Sequence, residues 1–216
     1  FRSEDSFAEA RRKLTDPLQR QVLSAEDCRK LAPSLMEGTF IGGIYNPTEE
    51  VADCHAFCQL LGGELEASGR CRIVYGRKVQ RIHEAFGTVV AVELEDEVLP
   101  VENLILAAGH NSSSLGLPGM RLPLYPLKGY SLSVPIGEHH CAPKISVTDY
   151  DRRTVYARIG EQLRVAAMVD MVGFNSAPEP KRLAVVKRLA RQTFPMAGNY
   201  DAAVEWAGMR PATPTG

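Results

Sequence analysis

Residues 101–116, VENLILAAGHNSSSLG, constrain this chain more than any other stretch. Leu104, Ile105, Leu106, Ala107 and Ala108 form a short continuous apolar run. Such a run reads as a strand buried on both faces, of the kind found inside α/β sheets. Gly109 follows, where the backbone can turn with positive φ and no side chain projects. His110, Asn111 and the serines Ser112, Ser113 and Ser114 supply N-cap chemistry for a helix or helical turn. A buried strand, a bare glycine and a fresh helix N-terminus make a place where a ligand can lie against backbone. The same pattern describes an ordinary strand-to-helix turn, and both readings stay open here.

The 216 residues suffice for one large domain or two small ones. A net charge of −1 gives no basic field for nucleic acid. No apolar run approaches the length of a bilayer span. Cys28, Cys54, Cys58, Cys71 and Cys141 form no CxxC pair, and their odd count suits a reduced, cytoplasmic setting. The chain opens FRSEDSFAEARR, without Met or a secretory leader, and stops at PATPTG within a strand-and-turn region. The expectation is a piece of a longer protein.

Taken in order, residues 6–14 read as a helix with Phe7, Ala10 and Leu14 on one stripe, broken at Asp16-Pro17. Ser24 and Asp27 fit a capping box that opens a second helix. Residues 38–45, GTFIGGIY, are strand-like. Residues 49–61 read as an amphipathic helix with Val51, Cys54, Cys58 and Leu61 inward, ended by Gly62-Gly63. Short strands are expected at 64–67, 71–75, 78–82, 88–94 and 98–106. After Gly116 the pattern changes to strands at 124–134, 144–148, 154–158 and 162–168, an antiparallel sheet with one wet face. A helix at 178–194 turns Leu183, Val186, Leu189 and Ala190 inward. The fold class is α+β / α/β.

Arg210, in WAGMRP, is the sharpest single candidate. An arginine at a strand end, stiffened by Pro211, suits bidentate carboxylate binding. On the residues alone, a surface arginine lying over Trp206 is the simpler reading. In PLKGYS, Lys128 and Gly129 could bring a cation and bare backbone to a planar ligand, or be part of an ordinary edge strand. Cys54, His55 and Cys58, and His139, His140 and Cys141, match no zinc spacing, so no metal is expected. There is no GxGxxG, no phosphate loop and no nucleophile elbow.

The motifs GGIYNPTEEVADCHAFCQLL, VENLILAAGHNSSSLG, PLYPLKGYSLSV, EQLRVAAMVDMVGF and EWAGMRPATPTG, in this order, resemble the FAD-dependent D-amino-acid dehydrogenases of the glycine/D-amino-acid oxidase family. The resemblance runs from about Leu23 to the end, and Thr215 stands where the family usually has aspartate. It implies a substrate domain with a large antiparallel sheet flanked by helices, plus a remnant of a Rossmann-like FAD-binding domain without its GxGxxG unit. By this reading 1–45 and 117–205 belong to the substrate domain, 46–116 is the FAD-domain remnant, and 206–216 returns toward it. Ala107, Ala108 and Gly109 match a flavin-contacting motif, and Val79 the position whose backbone meets the adenine end. Lys128 and Gly129 would lie near the isoalloxazine, while Arg210 would bind the substrate carboxylate with Tyr130 beside it. The implied reaction passes a hydride from the Cα of a D-amino acid to FAD, and hydrolysis then gives a 2-oxo acid and ammonia. Electrons would continue to a quinone or electron-transfer chain, with peripheral association at the inner face of the inner membrane. The chain by itself is expected to bind FAD weakly and to be inactive. A related oxidase of glycine, sarcosine or a 2-hydroxy acid is the nearest alternative. A non-catalytic α+β binding module is the other, because no complete catalytic set lies in these residues.

Overall fold

The computed structural model describes residues 1–14, 20–116 and 119–215. Its elements are α1 (Glu4–Arg12), β1 (Gln21–Ser24), α2 (Ala25–Leu31), β2 (Gly42–Tyr45), α3 (Cys54–Ala67), β3 (Arg81–Ala85), β4 (Thr88–Glu93) and β5 (Val98–Pro100). They continue with β6 (Tyr125–Pro135), β7 (Val147–Asp149), β8 (Thr154–Ile159), β9 (Gln162–Asp170), α4 (Pro180–Thr193) and β10 (Val204–Ala212). The expected break at Asp16-Pro17 and the boundary at 117 lie outside the described residues.

The chain divides into two units. The first comprises Phe1–Asp53, Gly129–Asp170 and Ser176–Gly208. Most of a five-stranded sheet, ordered β10-β6-β9-β8-β7, lies in it, and β9-β8-β7 pair antiparallel. The alternation in 162–168 has a direct consequence: Leu163, Val165 and Ala167 are buried on one face of β9. Leu183, Val186 and Ala190 of α4 join them in one core with Tyr130, Leu132, Val134, Tyr156 and Phe194. Burying side chains of this size stabilises by about 1.5–3 kcal/mol each. Glu179 caps α4 by accepting from Lys181 N, and Pro180 sits at its first position, where no donor is lost. Ser24 caps α2 by accepting from Asp27 N, as the sequence indicates.

The N-terminal segment is fastened to this core by ions. Arg2 Nε donates to Asp149 Oδ2 at 2.7 Å, and Asp149 is fully buried. The guanidinium also reaches Thr193 Oγ1 at 3.2 Å and lies 4.5 Å from the Phe40 ring centroid. β6 departs from the wet-face expectation. It is buried almost throughout, because it runs between β10 and β9 rather than along an edge.

The second unit comprises Cys54–Lys128, Met171–Asn175 and Met209–Gly216. It holds the antiparallel meander β3-β4-β5, whose buried residues include Ile82, Val92 and Leu94. Four expectations fail here. Helix α3 begins at Cys54, not at 49, because Asn46 and Thr48 form their own side-chain turn: Asn46 Oδ1 accepts from Thr48 N at 3.1 Å. It also runs through Gly62-Gly63 to Ala67, absorbing the strand expected at 64–67. Gly62 is the buried residue of α3, and a Cβ there would meet the Tyr75 hydroxyl at 3.3 Å. It serves close packing, not termination. Cys54, Cys58 and Leu61 are exposed, so the expected inward stripe is absent. Residues 71–75 form no strand.

The buried strand expected at 104–108 also differs. After Val101 N bonds to Val90 O, the chain leaves the meander and continues without a ladder. Ile105 is 91% exposed. An apolar run becomes a strand only where a neighbour offers ladder partners, and no described residue does so here.

Candidate functional site

The first part of the site lies within the second unit. Leu104, Ile105, Leu106, Ala107 and Ala108 form one wall of an open groove of ≈ 330 Å³. Val79, Ile82, Val92 and Leu115 complete it. Val79 precedes β3, which starts at Arg81 and not at 78, and it reaches the groove because Gln80 N bonds to Glu93 O at 2.8 Å. The structure thus brings Val79, Ala107 and Ala108 together, although 28 and 29 residues separate them in sequence. Gly109 begins a 3-10 turn (Gly109–Ser114) with φ of 57°, and no atom lies within 4 Å of where its Cβ would stand. Side-chain walls and a bare, left-handed backbone can receive the flat face of a heterocycle. Beyond the glycine, the His110 and Phe174 rings lie 6.0 Å apart, and Gly173 N donates to the Tyr125 hydroxyl at 3.2 Å.

The second part is β6. Lys128 is 2% exposed on a central strand, so the edge-lysine reading does not hold. Tyr130 turns into the core of the first unit. Its hydroxyl donates to Asp170 Oδ2 at 2.8 Å, and Arg182 Nε donates to the same oxygen at 2.9 Å. Burial, together with the Asp170 contact, pushes the Tyr130 phenol up to about 12. It is a fixed donor across the physiological range.

The third part is β10. Arg210 is exposed and has no ion pair among the described residues. It is Arg164 that lies over Trp206, 5.4 Å from the ring centroid. The indole folds back along its own strand over Gly208, where an added Cβ would clash with the ring. Sequence reasoning missed Arg164 and Asp170. Alternation marks Arg164 as lying opposite Leu163 and Val165 on β9, but nothing in the pattern separates it from solvated arginines. Among the described residues no three His, Cys, Asp or Glu side chains converge as metal ligands. No helix among them is long and apolar enough to cross a membrane.

The DAO family, described as FAD dependent oxidoreductase, matches residues 1–216. The chain belongs to this family. Among DAO relatives, the D-amino acid dehydrogenase 2 of Pseudomonas aeruginosa is 57% identical over 216 residues, covering 100% of this chain and 52% of that protein. The D-amino acid dehydrogenase of Paramagnetospirillum magneticum is 36% identical over 200 residues, covering 91% of this chain and 47% of that protein. The chain spans about half the length of these curated relatives, in line with the expectation of a longer protein. The glycine oxidase of Geobacillus kaustophilus matches in fold, with a TM-score of 0.83 at 18% identity, over 99% of this chain and 58% of that one. This agrees with the mixed α+β fold class read from the sequence.

Proposed function

We propose that these residues form part of an FAD-dependent D-amino-acid dehydrogenase. The observation that carries this reading is the 57% identity, along the whole chain, to a protein named D-amino acid dehydrogenase 2. The groove supports it. Its walls at Val79, Ala107 and Ala108 are apolar and fit the flat adenine end of FAD, and Gly109 next to them holds the left-handed backbone, φ 57°, that favours glycine. FAD, when bound, supplies the acceptor for the substrate's Cα hydride. The protein's task is then placement. Lys128 and Gly129 would lie near the redox end of bound FAD, and Arg210 would hold the substrate carboxylate through its planar fork. An exposed strand arginine without an ion pair among the described residues is suited to this, since no carboxylate among them competes for it. Tyr130 contributes through its bond to Asp170, which holds β6 in place, and not by direct substrate contact. Oxidation yields an imino acid, whose hydrolysis gives the 2-oxo acid and ammonia. Electrons pass on to a quinone of the respiratory chain, with the intact protein peripheral at the inner face of the membrane.

The test is kinetic. In the intact protein, Arg210→Ala raises KM for D-alanine about 100-fold, the loss of roughly 3 kcal/mol from a charge-assisted pair. Folding stability changes by less than about 0.5 kcal/mol, because Arg210 is an exposed residue. An unchanged KM removes Arg210 from the site.

A further inference from the structure

The sheet of the first unit has two faces, and only one is the apolar core. Tyr130, Leu132 and Val134 of β6, with Leu163, Val165 and Ala167 of β9, point toward α4. Alternation sends Ser131 and Ser133 of β6 and Arg164 of β9 to the opposite face. Arg164 is held there. Its Nη1 donates to Ser133 Oγ at 2.8 Å, and its guanidinium carbon lies 5.4 Å from the Trp206 ring centroid. The indole is itself seated over Gly208. Arg164 has no carboxylate partner among the described residues, and its cross-strand neighbour on β8 is Ala157. Beside it is an anomaly. Ser131 is 3% exposed, and its buried Oγ has no hydrogen-bond partner among the described residues.

These observations reinforce one another. A surface arginine is ordinarily mobile, whereas this one has its fork fixed by a hydroxyl on one side and an indole on another. A buried hydroxyl without a partner costs about 1–3 kcal/mol, so its retention calls for a reason. A rigid guanidinium with spare donors and a hydroxyl on the same sheet face can together take both oxygens of a carboxylate. Strand-borne groups are held closely enough for such recognition.

We infer that the Ser131, Ser133, Arg164 and Trp206 face of the sheet is a carboxylate subsite that recognises the side chain of an acidic D-amino acid. The inference rests on the proposed dehydrogenase reading. Arg164 then selects for a second carboxylate, as in D-glutamate. Trp206 keeps the fork flat, and Ser131 Oγ donates to the second oxygen.

The experiment compares D-glutamate with D-alanine in the intact protein. Arg164→Met keeps an apolar stem over Trp206 and removes the charge. It raises KM for D-glutamate about 30-fold, the effect of losing one charge-assisted pair, and leaves KM for D-alanine within about twofold. Arg164→Lys, which keeps the charge but loses the fork, restores part of the D-glutamate affinity. Calorimetric binding of glutarate, which carries two carboxylates and no amine, weakens in parallel. Ser131→Ala, a milder change, weakens glutarate binding in the same direction and serves if Arg164→Met does not fold. Equal effects of Arg164→Met on both amino acids would assign Arg164 to the common carboxylate and overturn the inference. Unchanged constants would overturn it as well, as would a wild-type protein that oxidises D-alanine but not D-glutamate. A wild-type protein that oxidises no D-amino acid sinks the dehydrogenase reading instead, and glutarate binding then still decides the role of Arg164.

Discussion

Removing the Asp149 carboxylate gives the most demanding test of how the first unit is held together. Asp149 is fully buried, and Arg2 retains 19% side-chain exposure. Asp149 Oδ2 accepts from Arg2 Nε at 2.7 Å, and its Oδ1 from Arg152 N at 3.2 Å. In Asp149→Ala both donors lose their acceptor. The Arg2 guanidinium keeps only long contacts, 3.2 Å to Thr193 Oγ1 and 3.4 Å to Thr39 O, plus its stacking on Phe40. Breaking one side of a buried pair costs about 3–5 kcal/mol. Partial access of Arg2 to solvent puts this case near the lower end, at about 3 kcal/mol. For a chain of this size that is a fall in Tm of about 6–12 °C. Urea unfolding followed by the fluorescence of Trp206 measures it, with a lowered midpoint and an unchanged slope. Replacing both partners, Arg2→Met with Asp149→Leu, costs less than Asp149→Ala alone, because no charge remains buried. A loss below about 1 kcal/mol for Asp149→Ala would mean that the pair behaves as a surface contact.

Three further outcomes follow from the same geometry. The Tyr130 phenol titrates at about 12 when folded, against about 10 in an unfolded chain, so its contribution to stability is complete below pH 10. That contribution is lost as pH rises from about 10 to 12, and Tyr130→Phe flattens this part of the alkaline unfolding profile. Gly42→Ala places a Cβ 2.5 Å from the Phe7 ring and 2.8 Å from Leu23 O, costing about 1–3 kcal/mol in thermal unfolding. Ala107→Arg puts a long charged side chain at the groove wall and weakens FAD binding in the intact protein at least about tenfold by equilibrium dialysis, with Tm nearly unchanged because Ala107 is exposed.

Much of the first unit was legible because periodicity and burial agree there. The apolar face of α4 and the strands β8 and β9 follow from spacing, while α4 itself starts at Pro180 and not at 178. The second unit was harder to read, for a physical reason. Apolar runs record a demand for burial, not the neighbour that meets it. Residues 104–108 carry the demand, yet Ile105 is exposed because no described strand pairs with them. Gly62 misled in a different way: its missing side chain makes room for the Tyr75 hydroxyl instead of stopping the helix. At the site, Val79, Ala107 and Ala108 were named from a resemblance and do share a groove. The Arg164–Ser133 and Tyr130–Asp170 contacts depend on which strands lie side by side, and that order, β10-β6-β9-β8-β7, is not contained in any local pattern.

In the proposed function the intact protein oxidises D-amino acids with FAD. Anaerobic titration of the purified yellow protein with a D-amino acid tests it most directly. The expected result is stoichiometric loss of the oxidised-flavin absorbance with D-alanine or D-glutamate, release of one ammonia per flavin reduced, and no change with the L-enantiomers. A flavin-loaded protein whose spectrum is unaltered by any D-amino acid would contradict it.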